Sequence, residues 1–214
     1  MGSKLDTNDM SFGADKRAAI AEISSRTKHD LDFYVLLIGA TLLALGAIFM
    51  DSTPTLIASM IVAPLAYPIL GVGLGFVLRS WGMAFRSLGM LVGSCVLVVA
   101  IGYSMTELFG KERVVNHQIT FGGNHDIAFL LAVVAGAIAA YGLMRPKVAS
   151  AITGVAIAVS LLPPLVATGV ALAPGGSTFD EPFLLFLLNV SGILLASLLT
   201  FWLADMRAAY RNKS

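Results

Sequence analysis

The chain has 214 residues, 57% hydrophobic and 13% charged, with a mean hydropathy of +0.84. A soluble domain of that size could not carry so much apolar surface without exposing large patches, so that class is excluded and an all-α integral membrane protein is expected. A net charge of +1 gives no reason to expect a nucleic-acid partner, and the single Cys95 excludes an internal disulfide or a cysteine-ligated metal within one chain.

Residues 1–32 are polar and mixed in charge. They hold no apolar segment of their own, so no secretory signal is expected and the first membrane helix acts as the insertion signal. Within them ADKRAAIAEISSRTK (14–28) consists of good helix formers with Ile20 and Ile23 on one side and bases elsewhere. The pattern predicts a short amphipathic cytoplasmic helix lying near the anionic leaflet or against a neighbouring subunit.

Six stretches then follow that are apolar enough to cross a bilayer, near 33–50, 55–78, 87–106, 127–144, 148–172 and 183–204. About 20 residues at ~1.5 Å each span the hydrocarbon, which these meet. Pro54, Pro146 and Pro182 stand at or just before the starts of the second, fifth and sixth, where a missing amide proton costs nothing. Lys4, Lys16, Arg17, Arg26, Lys28, Arg79, Arg86, Arg145, Lys147, Arg207, Arg211 and Lys213 all fall on one side of this arrangement, against Lys111 and Arg113 on the other. By the positive-inside rule both termini are cytoplasmic.

Four prolines lie inside spans, in two pairs: Pro64 and Pro68 in the second, Pro163 and Pro164 in the fifth. Each pair occupies the middle helix of a three-helix half. Laying IVAPLAYPILGVG over SLLPPLVATGVAL aligns Pro64-Leu65 with Pro164-Leu165, and RSLGMLVGS (86–94) overlays NVSGILLAS (189–197). Three crossings per half make homologous halves inverted, with a first repeat at 33–106, an extracytoplasmic loop at 107–126, a second repeat at 127–204 and a cytoplasmic tail at 205–214. A helix broken at mid-membrane frees carbonyls on one side and amide protons on the other. Those groups can replace the hydration shell of an ion or polar solute, an anion at the helix starts near Ile69 and Leu165, or a cation at the carbonyls near Val62, Ala63, Leu161 and Leu162. Ordinary proline kinks, which need no cargo, are the competing explanation.

The runs IVAPLAYPILGVGLG (61–75), GVAIAVSLLPPLVATG (154–169) and LFLLNVSGILLAS (185–197) resemble the signature blocks of the prokaryotic "uncharacterized hydrophobic domain" membrane proteins, domain of unknown function 389. The resemblance covers residues 33–204. It implies a six-helix membrane core in a bacterial or archaeal inner (plasma) membrane and brings no established substrate. Where such proteins often carry a small residue or Met-Gly between the prolines, this chain has Ala66-Tyr67, which would narrow or plug whatever the break lines.

Ionisable residues lie outside the spans or near their ends, which ranks proton-coupled transport below passive permeation. The pathway candidates are Pro64, Tyr67, Pro68, Ser160, Pro163, Pro164, Thr168 and Asn189, with Ser59 as a further polar group. Asn189 can bridge to exposed backbone of a broken neighbour or lock two helices together. Small residues four apart, at Gly71-Gly75, Gly89-Gly93, Gly136-Ala140, Gly154-Ala158 and Gly192-Ala196, favour close helix packing, and a homo-oligomer is expected. In the outer loop His117, His125 and Asp126 could hold a metal or sense pH, but without tight spacing a solvated loop is the better expectation and no metal site is expected. No cofactor or enzymatic motif is present, so no enzyme is expected. The leading expectation is a channel or uniporter-like permease; the alternative is a non-transporting membrane scaffold that assembles with partner proteins.

Overall fold

The computed structural model describes residues 3–27, 30–109, 124–145, 150–174 and 179–206, with side chains from residue 14 onward and, in the helix that starts at Ser150, from Leu161. Among these residues every regular element is helical: α1 (Ser3–Arg26), α2 (Leu31–Phe49), α3 (Thr53–Val62), α4 (Ala66–Leu78), α5 (Trp81–Phe109), α6 (His125–Leu143), α7 (Ser150–Ala171) and α8 (Asp180–Leu203). α2, α5, α6 and α8 are each long and apolar enough to cross a membrane, and α3 with α4 reach that length as a pair bent by 44°. The chain is a helical, multi-pass membrane protein.

The helix starts follow local chemistry. Pro54 sits in the first turn of α3 and Pro182 in the first turn of α8, where the missing N–H would have had no ladder partner. Asp180 and Glu181 add negative charge at the positive end of the α8 dipole. Pro146 lies outside the described residues.

Burial separates the helices into two classes. Large apolar side chains on α2, α5, α6 and α8, such as Leu43, Val92, Val96, Leu131 and Leu199, point away from the protein and suit lipid tails. In α4, by contrast, every residue from Pro68 to Gly75 is buried, and in α7 every residue from Leu161 to Val170. The two proline-bearing helices therefore form the centre of the bundle.

Close approaches define the helix directions. A Cβ added at Gly136 of α6 would lie 2.6 Å from the carbonyl oxygen of Ile193 in α8, and one at Gly192 would lie 2.9 Å from Cβ of Ala132. α6 and α8 thus run side by side in the same direction at backbone contact. A Cβ at Gly169 near the end of α7 would meet the Val99 carbonyl at 2.6 Å, so α5 and α7 are also at backbone contact. Phe76 and Val77 at the end of α4 share a groove with Leu199 and Trp202 at the end of α8, so those two helices finish on one side. Of the glycine pairs expected to pack, Gly71-Gly75, Gly136-Ala140 and Gly192-Ala196 are filled within the chain. Gly89-Gly93 on α5 has nothing within 4 Å, and the side chains of Gly154-Ala158 lie outside the described set.

Three expectations are corrected. α1 begins at Ser3, well before residue 14, ends at Arg26 and packs on α4 of its own chain, burying Ala19, Ile20 and Ile23. α5 starts at Trp81, six residues before the expected span, and carries Arg86 in its second turn, where Nη2 donates to α1. Most important, α7 is one helix through Pro163 and Pro164, not two. Those prolines remove two ladder donors. The helix is continuous where it is enclosed by protein, every residue from Leu161 to Val170 being buried.

Candidate functional site at the broken helix

The break between α3 and α4 is built by residues 63–68. Ala63 precedes a proline, so the pyrrolidine ring pushes it out of the helical region, to φ −66° and ψ 123°. Its N–H donates to the Ser59 carbonyl at 3.2 Å, the last ladder bond of α3. Pro64 has no N–H to continue the ladder to Met60. Leu65 then starts α4 without a capping side chain, and Pro68 falls in the first turn of α4, where its missing proton removes no bond. One proline ends a helix and the other tolerates a new start.

This irregular backbone is sheltered by protein. Ala63, Leu65 and Ala66 are buried and Pro64 half-buried. α3 and α4 both pack on α7, which brings the second proline pair to the same core as the first. Thr168 is buried with its proton engaged, as is Ser59, whose hydroxyl donates to the Leu56 carbonyl at 2.6 Å. Asn189 is buried on α8, which packs on both α4 and α7. The Ser160 side chain lies outside the described set.

A cleft of about 390 Å³ opens beside the break, lined by Pro64 and Tyr67 together with Ser25, Arg26, Asp30 and Asp32 from the α1–α2 junction. The Tyr67 hydroxyl donates to Glu22 Oε1 at 3.2 Å, the Arg26 guanidinium stands 4.8 Å above the Tyr67 ring, and Arg26 Nε pairs with Glu22 Oε1 at 3.3 Å. In the same turn, Arg86 Nη2 donates to the Ser24 carbonyl at 3.2 Å and to Thr27 Oγ1 at 3.4 Å. Glu22, Arg26 and Arg86 were not among the residues expected from sequence. They lie 41 to 62 positions from their partners across the cleft, and the only local signal was a phenol in an apolar helix, which needs a polar partner.

The outer-loop candidates resolve differently. His125 and Asp126 open α6, and Asn124 caps it by accepting from the Asp126 N–H at 3.1 Å and the Ile127 N–H at 3.4 Å. His117 lies outside the described residues. Among the described residues no three His, Cys, Asp or Glu side chains gather as a metal site would require.

The family model for the Domain of unknown function (DUF389) matches residues 60–195, from the last turn of α3 through Asn189. The chain belongs to the DUF389 family. It is also similar to an uncharacterized protein of Methanocaldococcus jannaschii, 28% identical over 188 residues. That match takes in 85% of this chain and 56% of the relative, so the chain spans little more than half of that protein's length. No solved structure matches. The DUF389 region contains the break and both proline pairs, whereas α1 and its contacts on Tyr67 precede it.

Proposed function

We propose that this DUF389 protein is a channel or uniporter-like permease for a small ion or polar solute, with its site at the break between α3 and α4. The observation that carries the reading is the burial of that break. Backbone with unmet hydrogen bonds survives at membrane depth only inside protein or along water, and here it lies at the centre of the bundle rather than on the lipid face. No Asp, Glu, Lys, Arg or His occurs in α3, α4 or α7, which favours passive permeation over proton coupling.

In this reading the chain crosses six times, as two inverted three-helix repeats with both termini cytoplasmic, in a prokaryotic inner membrane. One helix direction supports it: α4 and α8 finish on the same side. The packing partners also correspond between halves, α4 on α5 with α7 on α8, and α5 on α7 with α8 on α4. α7 contributes Thr168 and its two prolines to the pathway, and Asn189 an amide. The open Gly89-Gly93 face of α5 is where a second copy would pack closely in a homo-oligomer. The scaffold alternative needs α1 free for partners, and α1 instead buries its apolar side against α4.

The test is flux. Purified protein in liposomes under imposed potassium, sodium, chloride and proton gradients should carry a selective current. Pro64→Ala restores a ladder donor at the break and should change that current more than Pro164→Ala, which acts on a helix already continuous. Unaltered flux in a folded Pro64→Ala variant would remove the assigned site.

A further inference from the structure

We infer that the last two turns of α1 form a releasable lid on the cleft beside the break, held by a clasp on Tyr67; this rests on the permeation reading above. The seat is small and one-sided. Ala19, Ile20, Ile23 and Thr27 are buried, while Ala18 and Arg26 between and beside them are exposed. The clasp is polar and converges on one side chain. Glu22 accepts from the Tyr67 hydroxyl, Arg26 covers the Tyr67 ring, and the two clasp residues pair with each other.

Tyr67 is three residues past Pro64 and shares the cleft with it, so whatever holds the phenol also decides how far the cleft reaches toward the break. Arg86 holds the same turn of α1 to α5 through Ser24 and Thr27, a further polar contact that the lid must release together with the clasp. The contacts are of the kind that open and close. Arg26 and Glu22 are both partly solvated, and exposed ion pairs and single cation–π contacts are weak. Permanent anchoring would call for a wide apolar face, and Ala14, Arg17, Ala18, Ala21 and Ser25 on the same turns are exposed. Tyr67 is a positioning residue for the pathway in this account, and α1 acts through it.

The experiment uses the full chain with Cys95 replaced by Ser, in nanodiscs, where both faces are accessible and topology does not enter. A reporter at Ala19→Cys, buried under the lid, is compared with Ala18→Cys, its exposed neighbour, for reaction with a charged, membrane-impermeant thiol reagent. The buried reporter should react far more slowly. Adding Glu22→Gln, Arg26→Ala and Tyr67→Phe together should accelerate it about tenfold, the scale expected from losing a hydrogen bond to a charged group. Equal reaction of the two reporters in the parent, or no acceleration in the clasp variant, would overturn the lid. In liposomes the clasp variant should also raise flux. If Pro64→Ala alters flux and the clasp variant does not, the lid is overturned while the pathway stands; if labelling accelerates but neither variant alters flux, the lid stands and the permeation reading falls.

Discussion

Replacing Gly136 by Ala tests the helix contact on which the second half of the bundle depends. An added Cβ would lie 2.6 Å from the Ile193 carbonyl oxygen and 2.7 Å from its Cα, both backbone atoms that cannot rotate aside. Ordinary carbon–oxygen contacts begin near ~3.3 Å, so α6 and α8 must part by roughly 0.7 Å. A gap of that size forfeits about a quarter to a half of the dispersion well for each contacting pair. Lipid supplies no hydrophobic force to hold the helices together, so this loss is not made up elsewhere. Against it stands the better helix propensity of Ala, about 0.5–1 kcal/mol. Overpacking costs of about 1–3 kcal/mol exceed that gain, so Gly136→Ala should be destabilising. Gly39→Ala is the internal reference: nothing lies within 4 Å of its added Cβ, and it should be neutral or stabilising by up to about 1 kcal/mol. Equilibrium unfolding in mixed micelles, followed by helicity, measures both. Equal stability of the two variants would refute the backbone contact between α6 and α8.

Two further substitutions probe helix ends. Asn124→Ala removes the acceptor of the Asp126 and Ile127 amide protons and should cost about 1 kcal/mol, visible as faster hydrogen exchange at those two amides. Protection unchanged there would mean that the start of α6 is held by something else. Arg79 ends α4 with φ 57°, a left-handed conformation that costs a side chain about 1 kcal/mol or more and glycine nothing. Arg79→Gly should therefore raise the unfolding midpoint, and a lower midpoint would show the guanidinium to matter more than the backbone.

The apolar helices were legible because hydropathy over about 20 residues is a strong signal and bilayer thickness sets its length. The expected spans and the helices agree within a few residues except at α5, which begins at Trp81 and carries Arg86 inside the helix rather than before it. The break at Pro64 was legible for a local reason, the restriction on the residue before proline. The clasp on Tyr67 was not, because Glu22 approaches from 45 residues away and nothing in either segment encodes the meeting. The reading of residues 14–28 found the apolar stripe of α1 and assigned it to a membrane surface or another subunit; periodicity identifies a face that must be covered and is silent about what covers it.

The two proline pairs were expected to act alike, and the reason they differ lies in their spacing. Pro64 and Pro68 are four apart, so a continuous helix would lose the donors to the carbonyls of Met60 and Pro64, two successive bonds along one row of the ladder. Each ring would also clash with the carbonyl four residues back. Breaking at Ala63 relieves the first clash and places Pro68 in a new first turn, where it costs nothing. Pro163 and Pro164 are adjacent. Their missing donors belong to neighbouring rows, so each row loses one bond and resumes on either side, and the protein around α7 holds the helix together. An i, i+4 pair therefore divides a span, whereas an adjacent pair weakens one turn of it. The two proline-bearing centres are therefore not equivalent, and the one that is divided is the one on which α1 packs through Tyr67.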